Sequence, residues 1–120
     1  MTETYSQAKT TVSPDVLITI TRLSALSVPG VSRMAQVPGG VNRLFKRGIG
    51  DGVRIEVKDN VVTANLYLIL RQNVNIREVG RNVQHQVARA LQEMVGMDIG
   101  GIDIHIEDID MDEDIEATSA

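Results

Sequence analysis

The chain has 120 residues, 42% of them hydrophobic but only 2% aromatic, with no cysteine, no tryptophan and a formal net charge of −4. That length suits one domain with a core of Val, Ile, Leu and Met, and the missing thiols exclude a disulfide framework and thiolate metal sites. Three aromatic rings, Tyr5, Phe45 and Tyr67, are too few for the stacking platforms of a single-strand nucleic-acid site.

Residues 1–11 are polar and contain no apolar stretch of signal-peptide type. No run reaches the roughly 20 apolar residues needed to cross a bilayer; residues 61–70 come nearest and are interrupted by Thr63 and Asn65. The expected location is the cytoplasm, with any approach to a membrane made through a partner protein. All twelve Lys and Arg lie within residues 1–106, whereas residues 107–120 hold seven carboxylates. A mildly basic body thus carries an acidic tail whose like charges repel and solvate it. The chain reads as a single α+β domain over residues 1–109 and a disordered tail over 110–120.

The first element is a helix over residues 14–27. Ser13 can cap it, Pro14 suits its first position and Asp15 sits well at the positive end of its dipole. Val16, Ile20, Leu23 and Ser27 share one face of this helix, flanked by Leu17 and Leu26, while Ile18, Thr21, Arg22 and Ala25 point away. Pro29-Gly30 ends it, and a short strand follows over 31–36. Residues 37–52, rich in glycine and carrying Arg43, Lys46 and Arg47, read as a long loop with a helical turn near 41–45. Val53, Ile55 and Val57 alternate with Arg54, Glu56 and Lys58, giving a strand with one wet face. Asp59-Asn60 tolerates positive φ and predicts a two-residue hairpin turn.

The return strand, residues 61–70, is apolar on both faces and so predicts a central position in the sheet. A second helix over 76–95 follows, with Ile76, Val79, Val83, Val87, Ala90, Leu91 and Met94 on one stripe, Asn75 as its cap and Gly96 as its stop. Ile102, Ile104 and Ile106 then alternate with Asp103, His105 and Glu107 in a last strand. A right-handed crossover sets that strand parallel to residues 61–70. The result is a two-layer α+β sandwich, two helices packed on a small mixed sheet.

The succession of Ser13-Pro14-Asp15-Val16, Val28-Pro29-Gly30-Val31, Gly52-Val53 with Ile55 and Val57, the strand 61–70, Asn75-Ile76, the helix through Val83 and Val87, and Gly96 leading to Ile102, Ile104 and Ile106 resembles the alkaline shock protein family of bacteria. The resemblance spans residues 5–109. It implies a small α+β sandwich and a non-enzymatic protein of cell-envelope homeostasis or stress, self-associating and placed near the membrane by a partner. It carries over no catalytic motif, cofactor or metal site.

Five groups of residues invite a functional reading. Asp108, Asp110 and Asp112 imitate the start of a calcium loop, but Glu113 stands where glycine is needed and Ser119 where the bidentate glutamate belongs, so a solvated tail is the better reading. His85 and His105 lack companion ligands and read as isolated surface histidines. Gly48, Gly50 and Gly52 resemble a fragment of a phosphate loop, yet the segment precedes a strand and offers no helix N-terminus to an anion. Arg43, Lys46 and Arg47 form the best candidate for contact with an anionic polymer, RNA, a lipid headgroup or an acidic partner segment. Ile18, Ala25 and Leu26 on the first helix, with the second face of residues 61–70, are more apolar than one small monomer covers; they read either as core beneath the glycine-rich segment or as the candidate self-association surface, and the family resemblance favours the second. The function that follows is a homo-oligomeric scaffold or adaptor without chemistry of its own; an anion- or RNA-binding module built on residues 37–52 is the second reading.

Overall fold

The structure, a computed structural model, describes residues 10–38 and 49–111. Helix α1 (Pro14–Leu26) starts where its sequence signals place it, with Pro14 in the first turn. Ser13 takes the extended backbone of a cap, and its carbonyl accepts from Val16 N–H at 3.0 Å, but its side chain makes no capping bond. Strand β1 (Val31–Met34) follows, then β2 (Ile49–Gly50), β3 (Val53–Lys58), β4 (Val61–Arg71), helix α2 (Ile76–Val95) and β5 (Asp98–Asp110). The sandwich is the α+β fold predicted from the sequence, with both helices on one face of a five-stranded mixed sheet.

Strand β4 organises that sheet. Its alternate residues Val62, Ala64, Leu66, Leu68 and Leu70 are fully buried and face the helices. Along one edge it pairs with β5, parallel, from Val61↔Asp98 to Arg71↔Asp110. The other edge is shared: β3 takes Val61 to Leu66 and β1 takes Leu68 to Leu70, both antiparallel. Tyr67 is the junction, donating its N–H to the Gly52 carbonyl at 2.9 Å and accepting from Ala35 N–H at 2.8 Å. Such close approach of two chains excludes a side chain at residue 52, where a Cβ would lie 2.5 Å from the Ala35 carbonyl oxygen and φ is +77°.

Turn chemistry fixes the hairpins. Asp59 and Asn60 both have positive φ, as the two-residue turn requires. Asp51-Gly52 forms a second turn of the same kind, joining β2 to β3. The glycine-rich run therefore ends in a hairpin, not in a loop of phosphate-binding type, and the Asp-Gly pair was its sequence signal. Helix α2 is capped as predicted: Asn75 Oδ1 accepts from Glu78 N–H at 3.0 Å, and Gly96 closes the helix in the left-handed conformation.

The orientation of α1 is opposite to the one expected. Its buried face is Leu17, Ile18, Thr21 and Ala25, while Val16 and Leu23 are exposed. Apolar residues occupy both sides of this helix, so periodicity alone does not choose between them. The small Thr21 and Ala25, both fully buried, belong to the side that lies close against its neighbours. Strand β5 is also longer than its isoleucine alternation suggests, running from Asp98 to Asp110 with register shifts that accommodate extra residues at Gly100 and Glu107.

Candidate interaction surface

The basic candidates Arg43, Lys46 and Arg47, like the tail from residue 112, lie outside the described residues. Of the self-association candidates, Ile18 is 6% exposed and Ala25 fully buried, so both are core residues of this chain and not surface ones. Leu26 alone is exposed. The correction follows from the rotation of α1: the residues assigned to the wet flank are those that meet the sheet and α2.

A cleft of about 630 Å³ opens between the C-terminal half of α1, β1 and the β2–β3 turn, lined by Arg22, Leu26, Ser32, Arg33, Asp51 and Gly52 among others. Each of its arginines has an acid nearby, although the buried Arg22 Nε makes no hydrogen bond. Arg22 Nε lies 3.7 Å from Asp51 Oδ2 and Arg33 Nε 3.5 Å from Asp110 Oδ2. Asp110 also accepts a 2.6 Å hydrogen bond from Ser32 Oγ, fastening the end of β5 to β1 across the sheet. The aspartate that opened the apparent calcium pattern, Asp108, stands in the same strand and accepts from the Ile109 N–H. Asp108 and Asp110 thus belong to a paired strand, and the acids beside the cleft's arginines are Asp110 and the turn residue Asp51.

The sheet face away from the helices carries polar rows around β4 beside the buried Tyr67 and Ile69. In register order, Arg54, Asn65 and Asp103 make one row, and Tyr67 with His105 the next. His105 is not isolated: its Nε2 donates to Asn65 Oδ1 at 2.8 Å, and its ring stacks on Tyr67 with centroids 4.6 Å apart and planes 13° from parallel. Tyr67 is thereby covered and offers no free ring face to a base. His85 lies on α2, in the opposite layer. Among the described residues no group of three or more His, Asp or Glu is arranged to hold a metal ion, and no helix is long and apolar enough to cross a membrane.

What remains is the outer side of α1. Val12, Val16, Leu23 and Leu26 are 40%, 45%, 56% and 37% exposed, and Val16 and Leu23 stand two turns apart on one line. In α2 the large exposed apolar residues are Ile76 and Met94, at its two ends. A surface helix buries one stripe and leaves the other polar; α2 obeys this rule and α1 does not.

Comparison with known proteins supplies the family. Over residues 2–111 the chain matches the profile of a family described as having a cell envelope-related function. It is 31% identical over 106 residues to the uncharacterized protein YqhY of Bacillus subtilis, a match covering 87% of this chain and 78% of that protein. It is likewise 31% identical over 99 residues to the uncharacterized protein Spy1535 of Streptococcus pyogenes, covering 82% of this chain and 76% of that one. A solved structure of a MamM C-terminal domain variant, in a zinc form, superposes with a TM-score of 0.50 at 13% identity, covering 78% of this chain and 84% of that chain. That last likeness is one of fold. The chain belongs to the family of alkaline shock protein 23, which has a cell envelope-related function.

Proposed function

We infer that this protein is a non-enzymatic, self-associating scaffold or adaptor of cell-envelope homeostasis or stress, acting in the cytoplasm and brought to the membrane by a partner protein. The observation that carries the reading is the second apolar stripe of α1, with Val16 and Leu23 at its centre. Covering such a stripe gains about 25 cal/mol for each Å² removed from water, and a helix that is apolar on both sides is normally covered on both. Family membership supports the connection to the envelope.

Size measurement by light scattering on the full chain at tens of micromolar tests it. The wild type runs above the monomer mass. Leu23→Glu lowers that mass while the monomer keeps its fold and cooperative unfolding, since Leu23 is exposed and only the mass-action stabilisation is lost. Ile18→Glu acts differently, placing a carboxylate in the core and lowering stability by several kcal/mol. A monomeric wild type, or a Leu23→Glu chain of unchanged mass, overturns the reading.

A further inference from the structure

Strand β5 is a sheet edge. Among the described residues its only strand partner is β4. Between its two irregularities, at Gly100 and Glu107, residues 101–106 run in regular register, a length typical of a whole strand. Two observations show which backbone groups face the open side. Tyr67 and Arg71 of β4 send their N–H groups to Gly52 and Gly30, away from β5, so by alternation Leu66, Leu68 and Leu70 serve the β5 ladder. On the other side Gln84 Nε2 of α2 donates to the Ile102 carbonyl at 3.0 Å, so that carbonyl points outward. By strand alternation Ile104 and Ile106 present their N–H and C=O groups the same way.

We propose that residues 102–106 pair antiparallel with the same residues of a second copy, about a two-fold axis through Ile104, joining two sheets into one. The choice of partner follows from charge and face. In this register Asp103 of each copy stands opposite His105 of the other, in the positions where side chains approach most closely, about 4.5 Å between Cα atoms. Asp103 is exposed and its carboxylate makes no bond among the described residues. On the helix side Ile102 meets Ile106 and Ile104 meets its own copy, extending the half-buried isoleucines into a shared apolar row. Moving the axis to residue 103 opposes two aspartates; moving it to 105 sets Asp103 against Glu107. Of these three neighbouring centres residue 104 is the one that avoids like charges, and it keeps all of 102–106 within the regular register. Gln84 holds the Ile102 carbonyl until the second strand arrives, and a carbonyl has two lone pairs to share.

This interface is separate from the outer stripe of α1, and one set of size measurements distinguishes them. On this proposal Leu23→Glu leaves a dimer, and adding Asp103→Lys, which removes the acidic partner of the imidazole, converts it to a monomer that still unfolds cooperatively, its melting temperature no longer rising with protein concentration. Mixing the Asp103→Lys and His105→Asp chains restores pairing, because each then meets an opposite group. The chain contains no cysteine, so oxidising the Ile104→Cys chain links two copies through residue 104. The Cα separation of about 5.5 Å for a hydrogen-bonded strand pair suits a disulfide. Asp103→Cys alone, whose opposite residue is 105, links at least tenfold more slowly. A Leu23→Glu chain that is already monomeric overturns the β5 proposal and leaves the α1 reading intact. Unchanged mass in Leu23→Glu with loss of mass in Asp103→Lys does the reverse. Equal linking through 103 and 104 overturns the register and the proposal with it.

Discussion

Gly52 shows how much of this fold rests on single residues. Its positive φ and the Ala35 oxygen 2.5 Å from any added Cβ act together, so Gly52→Ala should lower stability by about 2 kcal/mol or more, read by chemical denaturation. The residue is legible in the sequence as half of an Asp-Gly turn, but its backbone neighbour is not. That neighbour depends on β1 and β3 sharing an edge of β4, a fact of long-range pairing. The same limit explains His105, which alternation places on a wet face while giving no sign of Tyr67 and Asn65 beside it. Ile18 and Ala25, core residues in the structure, are undecided in the sequence for a simpler reason: the helix that carries them has two apolar sides, and only contact with the sheet decides between them.

At the level of elements, legibility follows the strength of local signals. Helix α2 combines a capping asparagine, one apolar stripe and a left-handed glycine, and its bounds agree with expectation. Replacing Asn75 by Ala removes the 3.0 Å acceptor for Glu78 N–H and should cost about 1 kcal/mol, seen as a lower denaturation midpoint with an unchanged slope. Ser13 gives no such test, because it holds α1 through its backbone. Strand β5 was recognised by three isoleucines but extends beyond them on both sides. Asp110 is the reason at its far end, tied to Ser32 and Arg33, and an acidic residue near an acidic tail carries no local hint of that role.

For the whole molecule, the order of strands and helices was readable because each hairpin and cap has its own sequence sign, and the parallel crossover follows from handedness. The division of one edge of β4 between two strands was not, since nothing local announces it. That division has a consequence for continuity of the chain. Ala35 and Gly52 bond to the same residue, Tyr67, so the connection between them begins and ends at one place, its two ends held by the fold itself. Lengthening such an excursion costs little, about 0.6 kcal/mol for each doubling. A protease site introduced within residues 39–48 should therefore yield, after cleavage, two fragments that stay together through the β1–β4 ladder and the packing of α1 on its neighbours. Co-elution of the cut chain at the mass of the intact one checks this, and separation under native conditions refutes it. The protein would then be a two-piece reporter in waiting, assembled from one fragment of α1 and β1 and a second that holds the rest of the sheet.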